Sequence, residues 1–119
     1  MAAIAPNAAV HRGACKYRSV SIYLDMRFEW DARKDSANRR KHGVSFELAQ
    51  RVFDDPNHIS MQDRHEGGEE RWQTIGLVGH IAILLVAHTH EDDNGEEIIR
   101  IISARKATKA EWQLYHERA

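Results

Sequence analysis

Apolar and polar positions first alternate cleanly at Met26, Phe28 and Trp30, which puts three apolar side chains on one face of a short strand. A helix is predicted to follow at once. Asp31 is an N-cap residue whose carboxylate can accept from first-turn amides, and Gly43 suits the left-handed conformation that closes a helix after Arg39-Arg40-Lys41-His42. Cations in a last turn also suit the negative end of the helix dipole. Ser45 then caps a second helix, with Val44 and Ala49 as a hydrophobic staple and Phe46, Ala49, Val52 and Phe53 as its apolar side. Asp54-Asp55-Pro56 ends it.

The rest reads as strand until near the C-terminus. Residues 58–62 form a candidate edge strand, residues 63–70 a polar loop around Gly67-Gly68, and residues 71–78 a second strand. Gly79-His80 turns the chain into residues 81–88, whose nearly unbroken apolar run suits a central strand covered on both faces. Asp93-Asn94-Gly95 is a turn signal before residues 97–103, where Ile98, Ile99, Ile101 and Ile102 again imply burial on two faces. Thr108 and Glu111 match a capping box, with Ala107 and Trp112 as its staple, so a last helix should begin near Lys109. The order β-α-α-β-β-β-β-α predicts an α+β domain over residues 26–119, its helices on one face of a small antiparallel sheet. Residues 1–25 lack a helical stripe and are expected to be a peripheral extension, disordered or upstream of the native start; residues 19–24 could extend the first strand.

Composition narrows the class. At 119 residues, 42% apolar and 29% charged, one domain is expected. The longest apolar run, residues 81–87, is far short of the roughly 20 residues a spanning helix needs, so no membrane partner is expected. Arg12, Lys16 and Arg18 interrupt any secretory signal, and a lone cysteine, Cys15, can form neither an internal disulfide nor a CxxC metal site. A reducing, cytoplasmic setting fits best. The net charge of −1 hides segregation. Basic residues gather at Arg33, Lys34 and residues 39–41, and again at Arg100, Arg105, Lys106 and Lys109; acidic ones gather at Glu66, Glu69, Glu70 and residues 91–97.

Three constellations could carry chemistry. Arg39, Arg40, Lys41 and His42 could bind phosphate, with His42 as a proton donor or acceptor, or could simply complement a helix dipole. Arg71, Arg100 and Arg105 lie in or beside apolar strands, where a guanidinium must face a cleft or find a carboxylate such as Glu29, Glu97 or Glu111. His88 and His90, with Glu91 adjacent, have a spacing compatible with a metal, but no third ligand is identifiable and no metal is expected. Glycine-rich phosphate loops and G-x-S-x-G elbows are absent, which removes nucleotide-hydrolase and α/β-hydrolase readings.

Several spaced motifs resemble one family. Phe28-Glu29-Trp30-Asp31, Lys34, Asn38, the stretch Lys41-His42-Gly43-Val44-Ser45-Phe46-Glu47, Arg71 with Ile75-Gly76, the stretch Arg100-Ile101-Ile102-Ser103-Ala104-Arg105-Lys106-Ala107, Glu111 and Tyr115 look like the BrnT toxins of bacterial type II toxin–antitoxin pairs. The resemblance runs from Met26 almost to the C-terminus and leaves out residues 1–25. It implies a RelE-like fold, a cofactor-free and metal-independent endoribonuclease that arrests translation, and a BrnA-type ribbon-helix-helix antitoxin that neutralises the toxin and supplies all contact with operator DNA. A metal-free ribonuclease needs a base for the 2′-hydroxyl, cations for the phosphorane and an acid for the leaving oxygen. On that footing Arg71 and Arg105 are assigned to the phosphate with Lys41 assisting, and His42 to proton transfer. Tyr115 would donate a proton or stack on a base, Glu111 would act in the site or only cap its helix, and Arg39, Arg40, Arg100 and Lys106 would hold RNA. The competing class is a non-catalytic module that uses the same basic face for an acidic protein or a nucleic acid.

Overall fold

The computed structural model describes residues 17–23, 26–66, 69–80 and 82–118. Helix ends follow the local chemistry. In α1 (Ala32–His42) the Asp31 carboxylate accepts from the Arg33 amide at 2.8 Å, and left-handed Gly43, at φ 72°, donates its own amide to Arg39. α1 has almost no apolar face, and a side chain holds it instead. Buried Asn38 donates to the carbonyls of Val44 and Ala104 at 2.9 and 2.8 Å and accepts from the Ala104 amide at 3.2 Å. The predicted second helix is divided: α2 (Phe46–Ala49), capped by Ser45, passes into a 3-10 turn over Gln50–Asp54. That turn lies directly on the sheet at Gly76, where a Cβ would come within 2.7 Å of Val52 Cγ1.

Six strands form one sheet: β1 (Tyr17–Tyr23), β2 (Met26–Asp31), β3 (Ile59–Glu66), β4 (Glu69–Val78), β5 (Ala82–Asp93) and β6 (Glu96–Lys106). Their order is β1-β2-β6-β5-β4-β3. Residues 17–23, from the segment expected to be peripheral, pair with β2 as an edge strand; the rest of residues 1–25 lies outside the described residues.

Three expectations need correction. The sheet is mixed rather than antiparallel, because β2 runs parallel to β6, with α1, α2 and the β3–β5 meander as the long crossover that a parallel pair requires. The polar loop expected over residues 63–70 is mostly strand: β3 and β4 continue through it on either side of residues 67–68. The helices also do not share a face. Phe28, Trp30, Val44, Phe46, Ala49, Val52, Leu84, Val86, Ile99 and Ile101 pack as one core under α2 and its 3-10 turn, whereas α3 (Lys109–Arg118) lays Leu114 and Tyr115 against Ile75, Ile83 and Leu85 on the opposite side. β5 is apolar on both sides because each face carries its own core, as its composition implied.

α3 begins at the predicted capping box, with the Thr108 amide donating to Glu111 Oε1 at 2.8 Å and the Glu111 amide donating to Thr108 Oγ1 at 3.2 Å. Its other anchor is Tyr115, 4% exposed, whose hydroxyl donates to Asp55 Oδ2 at 2.6 Å. Asp55 also accepts from the amides of Leu77 and Asn57. Burial would raise the Asp55 carboxyl, but these donors and the nearby His58 outweigh it and hold the group below its ordinary value.

Candidate nucleic-acid interface

A single irregularity in β6 decides which way its arginines point. Side chains on an unbroken strand alternate, so residues 100 and 105 would lie on opposite faces. Between the pairs His88↔Ile101 and Ala87↔Ser103 the register shifts, leaving Ile102 as the extra residue of a β-bulge. Ile101 and Ala104, three residues apart, therefore share the α2-side core. Arg100 and Arg105 consequently share the other face, opposite Thr89 and Leu85 of β5.

Arg71 joins them. On β4 it has the parity of Ile75, which packs against α3, so it faces the same side. α3 covers one half of this face and leaves the other open. Gln73, Ala87 and Ser103, cross-strand neighbours in one row, form a half-exposed polar floor. Two residues further along on one side stand Arg71 of β4, just beyond the last β4–β5 pair, and the pair Thr89↔Arg100; Ile75, Leu85 and Arg105 make the next row on the other. Four residues separate those flanking rows, about 13 Å along a strand.

The arginines are not equally engaged. Arg105 donates to both Glu111 oxygens at 2.9 and 3.0 Å, with a further bond to the Lys106 carbonyl. This fork raises the Arg105 guanidinium above its ordinary value and, against some burial, holds the Glu111 carboxyl low. Arg71 and Arg100 share one carboxylate: Glu69 takes Arg100 Nη2 at 2.8 Å and stands 3.8 Å from Arg71 Nη2, beyond hydrogen-bond range. The Arg71 Nε is buried without a hydrogen-bond partner. Arg100 also lies across the β2–β6 pair from Glu29, which is 3.4 Å from buried Arg27.

The other expected site residues lie elsewhere. Arg39, Arg40 and Lys41 are exposed and His42 half-buried on the last turn of α1, which Asn38 binds to Ala104 of β6; Arg39 lies 4.0 Å from Asp35, and Arg40 donates to Ser36. Lys106 is exposed at the end of β6. Tyr115 belongs to the second core, and burial together with Asp55 pushes its hydroxyl up to about 12. Glu69 was missed as a site residue because residues 63–70 read as loop; the spacing Glu69-x-Arg71 on a strand would have put both on one face.

The α2-side face carries a different polar group. His88 is 3% exposed, and its ring links Thr74 Oγ1 at 2.7 Å to the Thr89 carbonyl at 3.1 Å, with Ser60 Oγ 2.7 Å from Thr74. Since a carbonyl only accepts, Nδ1 donates to Thr89 and Nε2 accepts from Thr74. Burial, aided by His90 and His58, lowers the imidazole to about 4. A cavity of about 250 Å³ opens beside it, lined by Phe53, His58, Trp72, His90 and Ile99 among others. Both ring nitrogens of His88 are occupied, so it cannot join His90 on a metal. Among the described residues no group of three His, Cys, Asp or Glu side chains could hold a metal ion.

A mixed sheet with helices on both faces and one half-face that carries arginines defines an α+β domain. The family model described as "Ribonuclease toxin, BrnT, of type II toxin-antitoxin system" matches residues 30–111, well over half of the sequence, and the chain belongs to this family. The 1.1 Å crystal structure of the Brucella abortus ribonuclease toxin BrnT is similar, with 25% identity and a TM-score of 0.48 over 67% of this chain and 94% of that one. No curated protein matches the chain. No helix among the described residues is long and apolar enough to cross a membrane.

Proposed function

We propose that the chain is a metal-independent endoribonuclease of RelE-like fold that cleaves RNA in the cytoplasm and thereby arrests translation. The observation that carries this reading is Arg71, a guanidinium on the open half-sheet that stands 3.8 Å from its carboxylate and has a buried Nε without a hydrogen-bond partner, with Arg100 bound to the same Glu69 beside it. Guanidinium forks of this kind suit the two non-bridging oxygens of a phosphodiester. Arg105, forked onto Glu111, borders the same floor and limits where the RNA backbone runs. The exposed cations of α1, Arg39, Arg40 and Lys41, with His42 among them, lie away from this face and would meet phosphates elsewhere along the RNA.

Cleavage would proceed through the ribose 2′-hydroxyl, so RNA and not DNA is the substrate. The arginines stabilise the charge that grows on the phosphoryl oxygens as the 2′-oxygen attacks. A BrnA-type ribbon-helix-helix antitoxin neutralises the toxin by covering the arginine face, and operator DNA is held through the antitoxin. The deciding experiment incubates purified, antitoxin-free protein with single-stranded RNA in EDTA. Cleavage is expected. RNA retained but uncut would favour a binding module, and activity lost only on chelation would favour a metal-dependent enzyme.

A further inference from the structure

We propose that Glu69 is the general base of RNA cleavage, a role that rests on the ribonuclease reading above. Glu69 opens β4 two residues before Arg71 and shares its face. Its carboxylate spans the gap between Arg71 and Arg100, at 3.8 and 2.8 Å. Any phosphodiester held by those two guanidiniums brings its phosphorus beside this carboxylate, and the attacking 2′-oxygen must come within about 3 Å of that phosphorus. Glu69 Oε1 has no hydrogen bond to Arg71 at its present distance, so it is free to accept from a 2′-hydroxyl.

Glu111, Glu29 and Glu96 on this face are committed elsewhere, whereas Glu91 of β5, on the same face by its parity with Thr89, is exposed and stands across from Ile98 rather than from an arginine. Glu111 has both oxygens on Arg105 and also closes the capping box of α3. Glu29 and Glu96 flank buried Arg27. Among the described residues, the charged groups that face Glu69 are Arg71 on its own strand, Arg100 on β6 and Glu91 on β5; Glu66 holds the paired register position on β3.

Charge gives a second argument: when Glu69 takes the proton, one negative charge disappears beside the two guanidiniums as the phosphorane gains one, so the base step tightens electrostatic binding as the transition state forms.

The step balances. The 2′-O–H bond breaks and its proton passes to Glu69; the 2′-O–P bond forms and the P–O5′ bond breaks. The departing 5′-oxygen takes a proton from water, and Glu69 returns its proton to the resulting hydroxide. The products are a 2′,3′-cyclic phosphate and a free 5′-hydroxyl.

The test compares wild type, Glu69→Gln and Glu69→Asp, each confirmed folded by thermal melting, in EDTA. It measures cleavage of an RNA oligonucleotide against pH and affinity for the 2′-O-methyl form, which cannot be cleaved. Glu69→Gln should cut about a hundredfold or more slowly. It should also lose the acidic limb of the pH–rate profile and bind the 2′-O-methyl strand at least as tightly as wild type. Glu69→Asp should recover part of the rate together with the acidic limb. Glu69→Gln cleaving at or above the wild-type rate would overturn the proposal and make the carboxylate a stand-in for phosphate. An acidic limb unchanged in Glu69→Asp and Glu69→Gln would overturn it too. A wild-type protein that leaves RNA intact would refute the ribonuclease reading itself, a separate outcome.

Discussion

Two carboxylate–arginine groups share one face of the sheet and differ in how far they are finished. Arg105 and Glu111 meet through two parallel hydrogen bonds, and the same carboxylate caps α3, so the group joins helix to strand and has little capacity left. Arg71 and Arg100 divide one carboxylate, which holds Arg100 at 2.8 Å and leaves Arg71 with a long contact and an unused Nε. A protein gains little stability from a guanidinium left in that condition. The Arg105–Glu111 pair is architecture, whereas Arg71 keeps donor capacity that the proposed function assigns to RNA phosphate.

The largest effect should separate the two groups by activity. Arg71→Ala and Arg100→Ala should each slow RNA cleavage about a hundredfold or more, the loss usual for one donor to a transition-state oxyanion. Urea midpoints should move little, with stability within about 1 kcal/mol of wild type. Arg105→Ala should lose less activity and more stability; equal rate losses at all three positions would erase the distinction drawn here.

Completed polar groups should answer to acid instead. His88 on the α2-side face is lowered to about 4 from an ordinary 6.5, so between those values the unfolded chain binds a proton that the folded one refuses. Its contribution is complete above pH 6.5 and is lost as pH falls toward 4. Urea melts should show a decline of about 3 kcal/mol across that window, and His88→Gln should flatten it.

A smaller effect is expected at Glu111. Its carboxyl is held low chiefly by Arg105, so its contribution is present above the ordinary carboxyl value and disappears as pH falls through the lower folded one. Glu111→Gln should cost about 1 kcal/mol at neutral pH, a figure discounted for the partial exposure of the pair, and should soften the acid limb of stability. Cleavage should remain within about tenfold of wild type.

Features written in a few adjacent residues were legible beforehand: the Asp31, Ser45 and Thr108 caps and the Gly43 stop stand where the sequence puts them. What escaped depends on distant parts of the chain. No local pattern says that β2 lies beside β6, or that α3 crosses to the far face. Tyr115 is one turn past Glu111, yet helical spacing alone does not tell which residue meets the core. In Ile98-Ile99-Arg100-Ile101-Ile102 the apolar run hides the two-residue alternation, so the bulge that turns Arg100 and Arg105 to one side left no mark. Glu69 was hidden for another reason: the glycines at 67 and 68 suggested a broad loop, whereas strand pairing resumes immediately after them.

The central claim is that Arg71 and Arg100 receive the RNA backbone. NMR of arginine side-chain Nε–H groups during titration with a 2′-O-methyl RNA oligonucleotide tests it most directly. The Arg71 and Arg100 signals should move first and furthest, with Arg105 shifting less. Shifts confined to Arg39 and Arg40 of α1, with Arg71 and Arg100 unmoved at saturation, would contradict the account.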